Sequence, residues 1–168
     1  MNNNLRKILI VDDNPSVHED YRKVLMSVAR ETELDDMETS LFGKTKRNPK
    51  PICNFEIESA YQGEEGLEKV QQSIEQNSRY AVAFVDMRMP PGWDGIRTVQ
   101  ELWNVDPNLP VVICTAYTDH SWEEITEELP RSELLLILKK PFDSIELKQM
   151  AMSKSFLREL VQNSGAAL

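Results

Sequence analysis

Apolar runs alternate with amphipathic stretches along most of this chain. Five segments are rich in apolar and β-branched residues and predict strands, at 8–11, 55–60, 81–85, 110–115 and 134–138. Five others carry apolar residues at every third or fourth position and predict helices, at 15–30, 63–73, 95–105, 121–129 and 144–162. The pattern therefore predicts five strands that alternate with five helices.

The starts of several helices are also marked by capping residues. Asn14-Pro15 places an N-cap residue before a proline at the first helical position. The pairs with capping-box spacing are Ser121 with Glu124 and Asp143 with Glu146. Strands without polar interruptions are covered on both faces, and their alternation with helices implies right-handed crossovers. The sequence thus predicts an α/β fold, a doubly wound parallel sheet with helices on both faces.

One segment interrupts this alternation. Residues 31–53 form a connection of 23 residues, whereas connections in such units usually have about 2–6 residues. Apolar residues come first, and a basic, turn-rich stretch follows at 43–51. Two interpretations stay open: a surface insertion in a single domain that covers 1–168, or a contact for a partner or a second copy of the chain.

Composition narrows the class of function. The chain has 168 residues, a formal net charge of -9 and a pI of about 4.8, which argues against a nucleic-acid-binding surface because phosphate backbones require clustered Lys and Arg. Neither Cys53 nor Cys114 lies in a C-x-x-C pattern. No apolar run is long enough for a membrane span or a signal peptide, so a cytoplasmic location is expected.

Residues capable of chemistry follow the predicted strands. Asp12 and Asp13 follow the first strand, Asp86 the third, Thr115 ends the fourth, and Lys140 follows the fifth. Carboxyl ends of parallel strands meet at one edge of the sheet, where ligands bind in such folds. Three neighbouring carboxylates require a cation, and oxygen ligands without His or Cys favour Mg²⁺.

Each of these residues also has an ordinary structural explanation. An Asp pair after a strand caps helices, Thr at a strand end is common, and Lys-Pro occurs in many loops. The combination is more informative than its members, because four strands deliver the required residue types to the same edge.

Several motifs resemble the receiver domain of bacterial response regulators. They are Ile8 to Pro15, Ala60 to Leu67, Asp86 to Pro90 with Asp94-Gly95, Thr115-Ala116 and Lys140-Pro141-Phe142. Residues 89–95 further resemble receivers of multidomain sensor kinases or cyclic-nucleotide signalling proteins. The resemblance implies a flavodoxin-like fold with strand order 2-1-3-4-5, and a signalling module whose chemistry is limited to its own phosphorylation and dephosphorylation.

The resemblance also implies roles for individual residues. Asp86 would accept a phosphoryl group from a sensor histidine kinase or a phosphotransfer protein. Asp13, Asp86 and the backbone carbonyl of Arg88 would hold Mg²⁺, and Asp12 would act directly or through a water. Lys140 and Thr115 would each bind a phosphoryl oxygen.

The chain departs from the family's usual pattern at two places. Ile137 occupies the position, three residues before the motif lysine, where an aromatic residue usually moves with phosphorylation. The loop after Asp86 is one residue longer than the common pattern and contains Trp93, for which a partner contact and a loop anchor are both open interpretations. His18 is expected on the surface of the first helix.

Two alternative functions fit the sequence less well. A phosphatase of the haloacid-dehalogenase type requires a second Asp two residues after the nucleophile, and this position holds Arg88. A receiver-like module used only for protein contacts would not need the full acidic set.

The last helix carries an apolar stripe that Lys154 interrupts, formed by Leu147, Met150, Leu157 and Val161. We expect this helix either to close the core or to link to an output domain or a second copy of the chain.

Overall fold

The structure, a computed structural model, describes residues 5–26, 54–116, 121–129 and 131–165. Within these ranges five strands alternate with five helices. The strands are β1 Leu5–Val11, β2 Asn54–Ala60, β3 Val82–Asp86, β4 Val111–Thr115 and β5 Leu135–Lys139. The helices are α1, described over 15–26, then α2 Gly63–Glu75, α3 Gly95–Val105, α4 Trp122–Glu128 and α5 Ser144–Gly165. The 31–53 insertion lies outside the described residues.

All five strands are parallel and follow the order β2-β1-β3-β4-β5. The predicted fold class and strand order are therefore confirmed. The register aligns Val11 with both Ala60 and Val85, and Asp86 with Cys114. Val11 and Ala60, which end β1 and β2, consequently lie level with the residue before the last of β3, and Asp86 extends one residue beyond them at this edge of the sheet.

Alternate residues of the strands pack into two separate core layers, one on each face of the sheet. Ile8, Ile10 and Phe84 pack with α1 and α5, whereas Leu9, Val11 and Val85 pack with α2, α3 and α4. Each fully buried side chain of this size stabilises the fold by about 1.5–3 kcal/mol. The sheet is thus covered on both faces, and its strands form a rigid base for the residues that follow them.

The buried side of helix α5 is apolar in its first half and polar in its second half. Leu147 and Ala151 are fully buried, as expected for a core helix. Further along, the buried residues are Lys154, Ser155 and Arg158, and the exposed ones include Met152, Phe156, Leu160 and Val161. Val161 of the predicted stripe therefore does not close the core, because the helix turns a polar side inward in its second half, and its link to an output domain or a second copy stays a prediction.

A buried ion pair accounts for part of this polar side. Arg158 Nη2 donates to Asp106 Oδ2 at 2.6 Å, and both residues are almost fully buried. Arg79 binds the other oxygen of Asp106 at 3.3 Å. Helix α5 is thereby attached to the end of α3 through charge as well as through apolar contact. No helix in the described residues combines the length and apolar content of a membrane span.

Candidate functional site

The carboxyl edge of the sheet gathers the predicted site residues. Asp12 and Asp13 follow β1, Asp86 is the last residue of β3, and Thr115 is the last residue of β4. Lys140 follows β5, and its backbone N–H donates to the carbonyl of Thr115 at 2.8 Å. The structure thus brings all five residues to one place, as their positions at strand ends predicted.

Three carboxylates form an acidic cluster at this edge. Asp12, Asp13 and Asp86 each offer an oxygen, and these oxygens lie within 4.8 Å of one another. Asp12 is buried and Asp86 is 9% exposed, whereas Asp13 is open to solvent. Like charges at this spacing repel strongly in a partly buried site, so the cluster requires neutralising cations.

Lys140 supplies one of these cations. Its ammonium donates to Asp12 Oδ2 at 2.7 Å and to Asp86 Oδ1 at 2.6 Å. Three carboxylates and one ammonium leave two negative charges, which is the charge that a divalent cation balances. The oxygen-only donor set fits Mg²⁺, with Asp13 facing the solvent from which the ion would enter.

Backbone N–H groups hold the remaining carboxylate oxygens. Asn14 donates to Asp12 Oδ1 at 2.9 Å, and Arg88 donates to Asp86 Oδ2 at 3.0 Å. Both buried carboxylates therefore have a hydrogen-bond donor on each oxygen. Such contacts fix the orientation of the side chains before any ligand binds.

The surroundings of Asp86 and Lys140 shift the pKa of both side chains. Burial raises the pKa of the Asp86 carboxyl above its ordinary value, and the hydrogen bond from Lys140 acts in the opposite direction without cancelling it. Burial would lower the pKa of Lys140, but its hydrogen bonds to Asp12 and Asp86 outweigh burial and raise it. At neutral pH the ionised form of Asp86 is therefore held at a cost to stability.

We expect Asp86→Asn to raise the free energy of unfolding at neutral pH when divalent cations are absent. A raised carboxyl pKa means that stability falls as the pH rises from the ordinary Asp value through the raised one, and the substitution removes this loss. Urea denaturation at several pH values measures the effect. The gain should disappear below the ordinary carboxyl pKa, and the exposed Asp20→Asn should show no comparable gain. A variant less stable than the parent protein at neutral pH would contradict this expectation.

Thr115 ends β4, and Arg88 lies two residues after Asp86. Thr115 is buried, and its hydroxyl donates to the carbonyl of Ala116 at 3.0 Å. Arg88 is an exposed residue, and its backbone N–H donates to Asp86. The roles of the Thr115 hydroxyl and the Arg88 carbonyl toward ligands stay predictions.

His18 was predicted wrongly, because its side chain is fully buried. Its Nε2 donates to the carbonyl of Asp12 at 2.7 Å, and its ring centroid lies 4.7 Å from that of Tyr61. The residue thus supports the turn that carries the acidic pair. A signal was present in the sequence, since His18 precedes the core residues Tyr21 and Leu25 by three and seven positions, on the same helix face.

Ile137 lies in β5 beside the site. It is half-buried, packs against the core layer beneath α3 and α4, and lines a surface groove of about 570 Å³ together with Thr115, Trp122 and Met150. An isoleucine here places an apolar surface next to Thr115, where the family's usual aromatic residue is absent.

The comparisons with known proteins agree with this geometry. A sequence model of the response regulator receiver domain matches residues 52–152, which is 101 of the 168 residues. The match includes Asp86, Thr115 and Lys140, and it begins after Asp12 and Asp13. None of the curated proteins matches the sequence.

Solved structures share the fold at low sequence identity. The adenylate cyclase from Rhodopirellula baltica is 21% identical, with 96% of each chain covered and a TM-score of 0.67. A receiver domain protein from Clostridium thermocellum is 20% identical, with 94% of this chain and 99% of that chain covered and a TM-score of 0.64. The N-terminal domain of a response regulator/sensory box/GGDEF 3-domain protein from Carboxydothermus hydrogenoformans is 18% identical, with 92% and 98% covered and a TM-score of 0.61.

The family match covers more than half of the chain, and the sheet order is the one that receiver domains have. Members of this family act as phosphoryl acceptors in two-component signalling and bind Mg²⁺ at an acidic pocket. The chain belongs to the family of response regulator receiver domains.

Proposed function

We propose that Asp86 accepts a phosphoryl group in a Mg²⁺-dependent reaction and that the phosphorylated domain changes conformation to pass on a signal. The donor is a phosphohistidine on a sensor histidine kinase or a phosphotransfer protein. One observation carries the proposal: three carboxylates and Lys140 form a site of net charge minus two around a strand-end aspartate. Thr115 lies at the end of the adjacent strand.

The transfer is a substitution at phosphorus. A carboxylate oxygen of Asp86 forms the new bond to phosphorus as the bond from phosphorus to the histidine nitrogen breaks, and that nitrogen keeps the electron pair. The fixed orientation of Asp86, with a donor on each oxygen, presents the carboxylate in one direction. Lys140 and Thr115 would bind oxygens of the incoming group, so the present hydrogen bonds of both must rearrange.

The acidic cluster is suited to the metal that this reaction needs. Asp13, Asp86 and the backbone carbonyl of Arg88 would hold Mg²⁺, and Asp12 would act directly or through a water. When bound, the ion offsets the charge that develops on the phosphoryl oxygens. Asp12 and Asp86 are already oriented by backbone donors, which lowers the cost of assembling the site.

The conformational signal would start at Thr115. Its hydroxyl now donates to the Ala116 carbonyl, and a phosphoryl oxygen would compete for this hydrogen. Movement of Thr115 would open space beside Ile137, which lines the same groove. We therefore propose that Ile137 repacks in place of an aromatic switch residue.

The partners follow from the same proposal. A histidine kinase or phosphotransfer protein would supply the phosphoryl group, and an output domain or self-association through α5 or the 31–53 insertion would receive the signal. One of the similar structures is named an adenylate cyclase, and another is the N-terminal domain of a response regulator/sensory box/GGDEF 3-domain protein. The reaction would take place in the cytoplasm, and the domain would not bind nucleic acid.

Phosphorylation by a small donor tests the proposal. Incubation with acetyl phosphate and Mg²⁺ should add one phosphoryl group, measured as an intact-mass increase, and EDTA should prevent it. Asp86→Asn should show no increase, whereas Asp20→Asn, with an exposed carboxylate on α1, should react normally. Failure of the parent protein to react or to bind a beryllofluoride mimic would favour the contact-only module, and turnover of many phosphate esters per chain would favour a phosphatase.

A further inference from the structure

The loop between β3 and α3 is held firmly at both of its ends. The N–H of Met87 donates to the carbonyl of Cys114 at 2.9 Å, and the N–H of Gly95 donates to the carbonyl of Met87 at 3.0 Å. Asp94 caps α3 by accepting the N–H of Arg97 at 2.8 Å. Between these anchors lie Met89 to Trp93.

This loop lies directly against the start of α2. A methyl group placed on Gly63 would lie 3.2 Å from Cβ and Cε3 of Trp93 and would overlap the hydroxyl of Thr98. A methyl group on Gly92 would overlap the side-chain oxygen of Gln62. The two segments thus touch at two glycines, one on each side, and neither contact has space for a side chain.

Trp93 is the principal side chain in this contact. It is half-buried, and the guanidinium carbon of Arg97 lies 4.9 Å from its ring centroid. Thr98, whose hydroxyl donates to the Asp94 carbonyl at 2.7 Å, lies beside the same glycine. The indole is therefore in contact with both α2 and α3, so its position is set by two helices.

The start of α2 is also connected to the other half of the acidic cluster. The N–H of Asp12 donates to the carbonyl of Ala60 at 3.1 Å, and Ala60 ends β2 three residues before Gly63. Asp12 and Asp13 are thus attached to one end of segment 60–63, and the loop that follows Asp86 is attached to the other. This segment joins the two loops that carry the carboxylates.

We infer that Trp93 is a positioning residue for the metal site. By packing on Gly63 it fixes the backbone after Asp86 relative to Asp12 and Asp13, and so sets the spacing of the oxygens that would hold Mg²⁺. This inference rests on the proposed function, because it concerns the same ion. Residues that orient ligands without touching the metal commonly change its affinity by about 10–100-fold.

Mg²⁺ binding to the full chain, measured by titration calorimetry, tests this role. Trp93→Ala should weaken Mg²⁺ binding about tenfold or more, and Trp93→Phe should recover most of the affinity because an aromatic ring still packs on Gly63. Phe156→Ala removes an aromatic ring that is 56% exposed on α5 and should leave Mg²⁺ affinity unchanged. Thermal unfolding in EDTA establishes for each variant that the domain is folded.

Gly63→Ala tests the same contact from the other side. It should displace Trp93 and weaken Mg²⁺ binding, and the double variant with Trp93→Ala should lose less than the sum of the two single losses, since both changes break one contact. Folded variants whose Mg²⁺ affinity stays within twofold of the parent protein would overturn the inference and leave the proposed function standing. A parent protein that binds no Mg²⁺ would overturn both.

Discussion

Lys140→Met is expected to slow phosphorylation of Asp86 by about 10²–10³-fold, the usual cost of removing one charged or hydrogen-bonding group that stabilises a developing negative charge. The ammonium lies 2.6 Å from Asp86 Oδ1, within reach of a group attached to that carboxylate. Methionine keeps a similar length and apolar stem but cannot donate. The initial rate with acetyl phosphate, followed by intact mass, measures the effect.

The same substitution should have an opposite effect on metal affinity. Without Lys140 the cluster carries three negative charges, so Mg²⁺ should bind more tightly while phosphoryl transfer slows. Lys139→Met, at the adjacent exposed position, is the matched control and should change neither quantity. Equal rates for the two variants would show that Lys140 does not act on the phosphoryl group.

Lys140→Met should also change the stability of the domain. Among the ion pairs of the described residues, Lys140 alone bridges Asp12 and Asp86. Because its loss leaves buried carboxylates without this donor, Lys140→Met should lower the free energy of unfolding by about 1–3 kcal/mol. Its raised pKa means that the contribution is complete below the ordinary lysine pKa and is lost as the pH rises through the raised value. The difference between Lys140→Met and the parent protein should therefore shrink at strongly alkaline pH, and Mg²⁺ should reduce it at neutral pH.

Gly95→Ala is expected to lower the free energy of unfolding by about 2–3 kcal/mol, since overpacking against fixed atoms is costly. The new methyl group would lie 2.6 Å from the backbone oxygen of Asp86 and 2.9 Å from Cα of Met87. The oxygen belongs to the last residue of β3, and Met87, the buried residue that follows, is hydrogen-bonded to Cys114 of β4, so neither atom can move without displacing the sheet. Chemical denaturation of the two proteins measures the loss.

Gly66→Ala provides the control for this substitution. Gly66 lies within α2, where its added methyl group would meet a side-chain atom, Cγ2 of Val11, at 3.0 Å. Alanine also favours the helical conformation over glycine by about 1 kcal/mol, which offsets part of that contact. A loss for Gly95→Ala no larger than that for Gly66→Ala would mean that β3 and the loop beside Asp86 adapt more readily than their packing indicates.

The sequence predicted which residues lie at the carboxyl edge of the sheet better than it predicted the contacts around them. Asp12, Asp86, Thr115 and Lys140 could be placed together because each follows or ends a recognisable strand, and parallel strands end at one edge. That argument needs no side-chain contacts. It does not reveal that Lys140 bridges two carboxylates, because the bridge depends on the distance between β1, β3 and β5 in the folded sheet.

The missed features depend on contacts between elements distant in the sequence. His18 is a polar residue on an apolar helix face, and its burial is possible because the carbonyl of Asp12 accepts its hydrogen. The inward polar side of α5 likewise depends on Asp106, more than fifty residues earlier, as the partner of Arg158. Periodicity identifies a face of a helix but not the partner that makes a polar face suitable for burial.

The Arg158–Asp106 pair also bears on where this folding unit ends. The family match stops at residue 152, six residues before Arg158. A chain cut at that boundary would leave the buried Asp106 carboxylate with Arg79 as its remaining cation among the described ion pairs. Breaking a buried pair in this way typically costs about 3–5 kcal/mol. We therefore expect a chain that ends at residue 152 to be less stable than one that includes Arg158.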